Sequence, residues 1–376
     1  MRVDRLVVTG FRSYDELAVD PPAGPQILYG ANAAGKTNLV ESLVVLARGA
    51  SHRAADAELV TWSGAMARLE ARVSHGPGRG PDVLEVVIPR AAGGAAARKR
   101  IRINGVPRRA PALGQAFRIV LFAPEEMLLV VGSPALRRAA LDELATARSP
   151  GHGRALATYG RALAQRNSLL RAVREGLAGR DQLPYWDGLL VEEGGAVVSG
   201  RLAALADLDE PLAAAHAEIA PGEGRLAMAY VTNAPAEAAE SPADAIRRRL
   251  SETADKELWN GATLVGPHRD DVVFRLDGRP LAAFASRGQQ RTAILALKLA
   301  EVRLLTAPDG EPPLLLLDDV FSELDPLRRA HLVRRIQALP QAFITTTALA
   351  DLDPELVAAS TAWHVTPGRV EQGTAR

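Results

Sequence analysis

Gly30-Ala31-Asn32-Ala33-Ala34-Gly35-Lys36-Thr37 is the stretch on which the fold turns. It satisfies G-x-x-x-x-G-K-[ST] at every fixed position. A strand-like run, Gln26 to Tyr29, leads in, and a helical pattern over residues 38–48, with Leu39, Leu43 and Leu46 apolar, leads out. Glycine lets such a loop wrap a phosphate with no Cβ in the way, and the loop amides and the helix N-terminus then face the anion. Lys36 is expected to reach the β- and γ-phosphates, and Thr37 to offer its hydroxyl to Mg2+. Asn32 reads either as a hydrogen-bond partner near the γ-phosphate or as a residue suited to left-handed backbone. The plain alternative, an ordinary glycine-rich strand-to-helix turn, is outweighed by pattern and context together.

A second stretch, Leu314-Leu315-Leu316-Leu317-Asp318-Asp319, puts two carboxylates at the end of an apolar run that suits a central parallel strand. Open α/β sheets hold their ligands at that end of their strands. Asp318 reads as the Walker B residue of the Mg2+ shell, and Asp319 as the group that polarises the attacking water. Taken alone, the pair reads equally well as a buried strand followed by a helix N-cap. A third stretch, Ser286-Arg287-Gly288-Gln289-Gln290, opens a helical segment with Ile294, Leu297, Val302 and Leu305 on one side. Its exposed N–H groups and partial positive charge suit an anion. By itself it is more simply a capped helix.

The bulk composition sets bounds. The chain has 376 residues, which suits about two domains. Its net charge of +1 removes any whole-molecule electrostatic argument for nucleic acid, so such binding would need a local basic patch. Cysteine is absent, which fits a reducing cytosol. The N-terminus reads as a strand without a signal-peptide h-region, and the apolar runs are far short of the roughly 20 residues that span a bilayer. A soluble cytoplasmic protein with no membrane partner is expected.

Along the chain, residues 1–120 read as short strands and turns, with strands at Leu17 to Asp20, Ala67 to Val73 and Val83 to Ile88 and loop tips at 76–81 and 91–98. Ile101-Arg102-Ile103-Asn104-Gly105-Val106 is a hairpin signal, since Asn-Gly suits a type I′ turn. Residues from about 125 to 255 are helical in character, and Pro235 and Pro242 mark a flexible break. From 263 strands and helices alternate again, through a hairpin at Asp277-Gly278. The fold class is α/β: a P-loop ATPase domain formed from 1–122 and 256–376, with a helical lobe, 123–255, inserted between.

Arg98, Lys99, Arg100, Arg102, Arg108 and Arg109 cluster around the Asn104-Gly105 hairpin, and Arg137 and Arg138 begin the lobe. Such groups suit phosphate contacts without base readout, although a basic run is more often a solvated surface. Arg247-Arg248-Arg249 is expected to face solvent. His268 has no nucleophile around it and reads as a turn residue, with Asp270 or Asp271 capping nearby backbone. Arg12 reads either as a nucleotide contact or as a surface arginine.

In this order the P-loop, the Ser286–Gln290 signature, Walker B and a D-loop-like Ser322-Glu323-Leu324-Asp325 resemble the ABC-type ATPases. Within that superfamily the chain is similar, over nearly its whole length, to the RecF family of recombination mediators. The likeness rests on Gly10-Phe11-Arg12-Ser13-Tyr14, on Walker A with Asn38, and on Ser51-His52-Arg53. It continues through Phe122-Ala123-Pro124-Glu125-Glu126, Gln165-Arg166-Asn167 and Gly266-Pro267-His268-Arg269-Asp270-Asp271. The resemblance implies ATP and Mg2+ as ligands, with Arg12, Asn38, Ser286, Gly288 and Gln289 joining the loop at the nucleotide. Ser286 and Gly288 would act in trans, on the triphosphate bound to a second copy. It also implies an ATP-dependent homodimer on double-stranded DNA, including gapped or junction DNA, with RecR and RecO as partners in gap repair and replication restart, and a weak, DNA-stimulated ATPase.

Departures from the general ABC pattern favour a slow switch. Arg287 stands where transporters carry Gly. Asp319 replaces the longer Glu. Phe343-Ile344-Thr345-Thr346-Thr347 has Thr where transporters have a switch His. The alternatives are the nucleotide-binding subunit of an ABC transporter and, more weakly, an SMC-like structural clamp.

Overall fold

The computed structural model describes residues 1–90, 98–321 and 324–373. Packing divides the chain into two units: Met1–Glu126, Ala217–Gly222 and Leu295–Arg376 form one, and Met127–His216 with Glu223–Ile294 form the other. The second unit therefore also holds 256–294, which sequence pattern alone assigns to the ATPase half. Ser322 and Glu323 of the D-loop-like stretch, and the loop tip apart from Arg98, lie outside the described residues.

In the first unit, β1 (Arg2–Phe11), β2 (Tyr14–Val19), β4 (Met66–Ser74), β5 (Asp82–Pro89), β6 (Arg100–Ile103) and β7 (Val106–Pro107) form an antiparallel sheet ordered β2-β1-β4-β5-β6-β7. β4 alternates strictly, with Ala67, Leu69, Ala71 and Val73 buried, while β1 buries Val3, Leu6, Val8 and Phe11 with a register shift between Val3 and Arg5. One face is therefore apolar and must be covered. The second sheet contains β3 (Gly24–Tyr29), β8 (Ile119–Phe122), β12 (Leu314–Leu317), β13 (Gln341–Thr346), β14 (Thr361–Thr366) and β15 (Arg369–Gln372). Its order is β15-β14-β3-β13-β12-β8, and every pairing is parallel except β14 with β15. All residues of β8, β12 and β13 are buried, as strands covered on both faces require.

The P-loop helix, Lys36–Arg48, shares one apolar cluster with both sheets. Leu39, Val40, Leu43, Val44, Val45 and Leu46 are all buried, so almost every side of the helix is covered. Apolar burial all round is the mark of a helix lying inside a domain. The amphipathic spacing visible in the sequence understates this.

The second unit contains the helices Pro134–Arg148, Pro150–Arg174 and Pro242–Asn260, and all but the last three residues of the helix Leu183–Ile219. It also carries a three-stranded sheet, ordered β11-β10-β9, of β9 (Leu226–Val231), β10 (Asp271–Leu276) and β11 (Arg279–Pro280). The lobe is helical in the main, and β9 adds a strand to it that the sequence pattern did not reveal. β9, Leu-Ala-Met-Ala-Tyr-Val, lacks a period-two polar alternation and is built largely of residues that also suit helices.

Candidate nucleotide-binding site

β3 and β12 flank β13 in parallel, so the P-loop after β3 and Asp318 after β12 emerge at the same edge. Two glycines shape the loop. Gly30 has φ 153°, and a Cβ there would lie 2.3 Å from the Val365 carbonyl oxygen. Gly35 has φ 114°, and a Cβ there would lie 2.9 Å from the Tyr14 hydroxyl. The non-glycine loop residue in left-handed backbone is Ala33, φ 62°, so the left-handed reading of Asn32 is corrected. Lys36 Nζ donates to the carbonyls of Gly30 at 2.7 Å and Ala31 at 2.9 Å. Burial lowers its pKa, against the opposing charges of Asp319 and Asp318.

Asp318 is buried, and its Oδ1 accepts from Thr37 Oγ1 at 3.1 Å and from Thr345 Oγ1 at 2.6 Å. Burial raises its pKa, and the two hydroxyl donors pull the other way. A divalent cation would supply the missing positive charge. The donor set fits Mg2+: a hydroxyl and a carboxylate oxygen side by side are hard ligands, and this ion takes its remaining ligands from phosphate and water. No cluster of three or more His, Cys, Asp or Glu that could cage a metal occurs among the described residues. Asp319 follows at φ 51°, with its N–H donating to Thr345 Oγ1 at 2.9 Å. A cleft of about 260 Å3 is lined by Asn32, Ala33, Gly35, Lys36, Thr37 and Asn38, together with Arg53, Asp318, Asp319, Thr345 and Thr347.

Behind the loop, Glu41 of the P-loop helix is fully buried and holds two arginines. Arg12 donates to both of its carboxylate oxygens, at 2.9 and 2.8 Å, and Arg53 donates at 2.9 Å. Burial pushes the Glu41 carboxyl up, but Arg12, Arg53 and the Ser51 hydroxyl outweigh it and hold it at about 2. Arg12 therefore rests on Glu41, and Arg53 is the arginine that lines the cleft. Asn38 Nδ2 donates to Ser13 Oγ at 2.9 Å, and Arg53 donates to Asn38 Oδ1 at 2.8 Å. Sequence reasoning gave Arg53, Thr345 and Thr347 no role at the site. Nothing in their spacing signals chemistry, although Ser51-His52-Arg53 and the threonine run were both conspicuous.

In the second unit, Ser286 is exposed and caps the helix Arg287–Leu305. Its Oγ accepts from the Gln289 N–H at 3.3 Å, while Gln289 Oε1 accepts from the Ser286 N–H at 3.0 Å. This reciprocal pair is a capping box, so Gln289 is committed to the cap in this chain. Gly288 lies in the first turn, where helix N–H groups have no helical acceptor.

The hairpin forms as expected, with Asn104 at φ 52° and Gly105 at φ 76°. Arg98, Arg100, Arg108 and Arg109 are exposed and have no acidic partner among the described residues. Lys99 instead pairs with Asp56 at 2.7 Å, and Arg102 lies 3.5 Å from Glu85. Arg137 is corrected as a phosphate candidate, since its charge is already paired, and Arg138 is partly engaged by backbone. Arg137 grips Asp271 through Nε at 2.7 Å and through its terminal nitrogen at 2.8 Å, and Arg138 donates to the Asp270 carbonyl at 2.6 Å. Arg248 is half-buried against Glu240, at 2.9 Å, rather than facing solvent. His268 is structural: its Nδ1 meets the Tyr159 hydroxyl at 2.6 Å, and burial pushes its pKa down to about 4. Asp270 accepts from the Tyr230 hydroxyl at 2.6 Å.

Together, fold and cleft define a P-loop ATPase head of the ABC and SMC kind. The RecF/RecN/SMC N terminal domain model matches residues 2–354, and the chain belongs to that family, on its RecF branch. The DNA replication and repair protein RecF of Herpetosiphon aurantiacus is 39% identical, covering 98% of this chain and 99% of that protein. The protein of the same name from Heliobacterium modesticaldum is 38% identical, covering 99% of each. Among solved structures, the recombination mediator protein RecF-ATP in the RecFOR pathway superposes with a TM-score of 0.89 at 28% identity, covering 99% of this chain and 97% of that one. An Smc head bound to the C-winged helix domain of ScpA, at TM-score 0.54 and 14% identity, shares the fold alone. Full-length matches to RecF proteins set aside the transporter-subunit alternative. No helix among the described residues is long and apolar enough to cross a membrane.

Proposed function

We propose that this protein is an ATP-gated DNA-binding recombination mediator of the bacterial cytoplasm, acting in gap repair and replication restart. The observation that carries the reading is the convergence of Lys36, Thr37 and Asp318 at one end of the parallel sheet. Lys36 and the loop amides bind the phosphates. Thr37 and Asp318 would hold Mg2+, which when bound neutralises phosphate charge. Asp319, one methylene shorter than glutamate, orients water from farther away, in keeping with slow hydrolysis.

Ser286 and Gly288, at an exposed helix N-terminus, suit the triphosphate held by a second copy. ATP would then close a homodimer, and hydrolysis would reopen it. Arg98, Arg100, Arg108 and Arg109 supply exposed charge for the phosphates of duplex DNA, gapped sites included, and binding to DNA would raise the ATPase rate. The RecF-ATP structure that superposes on this chain is of a mediator in the RecFOR pathway, which supports RecO and RecR as partners.

Sizing by light scattering with ATP, with ADP and without nucleotide, each with and without duplex DNA, tests the proposal. A dimer with Mg-ATP that DNA reinforces is expected. A strict monomer at saturating Mg2+, non-hydrolysable triphosphate and duplex would overturn it.

A further inference from the structure

The threonine run at the end of β13 stands where a switch histidine would be expected, and one of its members does something that histidine would not. Thr345 is buried on the strand lying between β3 and β12. Its hydroxyl donates to Asp318 Oδ1 at 2.6 Å and accepts from the Asp319 N–H at 2.9 Å. A hydroxyl both donates and accepts, so a single small side chain serves the two neighbouring acidic residues at once. The φ of Asp319, 51°, lies in the left-handed region, which aspartate enters more readily than most non-glycine residues, and the hydrogen bond from its N–H to Thr345 holds it there.

We propose that Thr345 is a positioning residue for the nucleotide site, a role that rests on the ATPase reading above. It fixes the carboxylate of Asp318 beside Thr37, and it locks the left-handed turn that aims Asp319 at the cleft. A buried valine of the same shape would keep the packing and lose both hydrogen bonds. Serine would keep both bonds and lose only a methyl group.

The test uses the full chain with Thr345→Val and Thr345→Ser. Three quantities are measured: Mn2+ affinity in the presence of a non-hydrolysable ATP analogue, by electron paramagnetic resonance; analogue affinity without metal; and steady-state hydrolysis. Thr345→Val is expected to weaken Mn2+ binding and lower kcat by roughly 10–100-fold, the usual effect of removing a partner that orients a metal ligand. Metal-free analogue affinity and the KM for ATP should change little, and Thr345→Ser should restore both metal affinity and kcat. If Thr345→Val matches the parent in Mn2+ affinity and kcat, the positioning role is wrong. The role is equally wrong if Thr345→Ser fails as badly as valine while remaining folded by circular dichroism. If the parent itself neither binds the analogue nor hydrolyses ATP, the ATPase reading fails instead.

Discussion

Thr37 Oγ1 donates to Asp318 Oδ1 across 3.1 Å, joining two residues 281 positions apart in the chain. One lies in the first turn of the P-loop helix and the other directly follows β12. The parallel order β3-β13-β12 delivers both to the same edge. Two oxygen donors are thus held side by side by strands buried on both faces.

Asp318→Asn should therefore separate nucleotide binding from metal use. ATP affinity measured by calorimetry in a chelator should stay within about threefold of the parent, because on the proposed reading the phosphates are held mainly by Lys36 and the loop amides. Mg2+-dependent phosphate release should fall by about 100-fold or more, since the amide supplies no charge to the ion. Equal hydrolysis rates would remove Asp318 from the metal site.

Lys36→Ala should abolish ATP-driven dimerisation. The ammonium donates to the Gly30 and Ala31 carbonyls, which places it over the loop. Losing charge-assisted hydrogen bonds to phosphate should weaken ATP binding by about 10–100-fold. Light scattering with Mg-ATP checks this: a variant that dimerises like the parent would contradict the assignment.

Glu41→Gln should cost about 3 kcal/mol of stability, because it leaves Arg12 and Arg53 around a neutral group. The pH sign follows from its depressed pKa. The folded carboxyl sits at about 2 against 4.5 for the free group, so its contribution is complete above about 4.5 and is lost as pH falls toward 2. Urea unfolding should show the parent losing this advantage over Glu41→Gln on acidification. A constant difference between the two across that range would refute it.

His268 acts in a different window. Its folded pKa of about 4 lies below the usual 6.5, so between those values the unfolded chain binds a proton that the native state refuses. Stability should fall as pH drops from 6.5 toward 4, by up to about 1.4 kcal/mol per pH unit from this group. His268→Gln should flatten that part of the curve. A slope unchanged by the substitution would show that the imidazole is not responsible.

Replacing Arg100, Arg108 and Arg109 together by Ala should weaken duplex binding equally across sequences. The log–log salt slope should decrease by up to about 0.9 for each phosphate no longer neutralised. Lys99→Ala should change it far less, since that ammonium is already paired with Asp56. An unchanged slope in the triple variant would place the DNA surface elsewhere.

The local signals were legible because each is enforced within a few residues. Glycines at 30 and 35, the lysine and hydroxyl that follow, the Asn104-Gly105 turn and the apolar run before Asp318 dictate backbone and chemistry by themselves. The chain thus announced a glycine-shaped loop, an aspartate at the end of a buried strand and a capped helix. Tertiary packing decided what those groups touch. Arg12 and Arg53 are alike in sequence, yet the first rests on Glu41 and the second reaches the cleft as well. Arg137 was as exposed a candidate as Arg108 until β10 placed Asp271 against it. Thr345 reaches both aspartates only because β13 lies between the strands carrying the loop and Asp318. Conformational preference is a short-range property of the residues themselves. The partner of a charge or hydroxyl is instead chosen by strand order and helix burial, which distant parts of the chain set together.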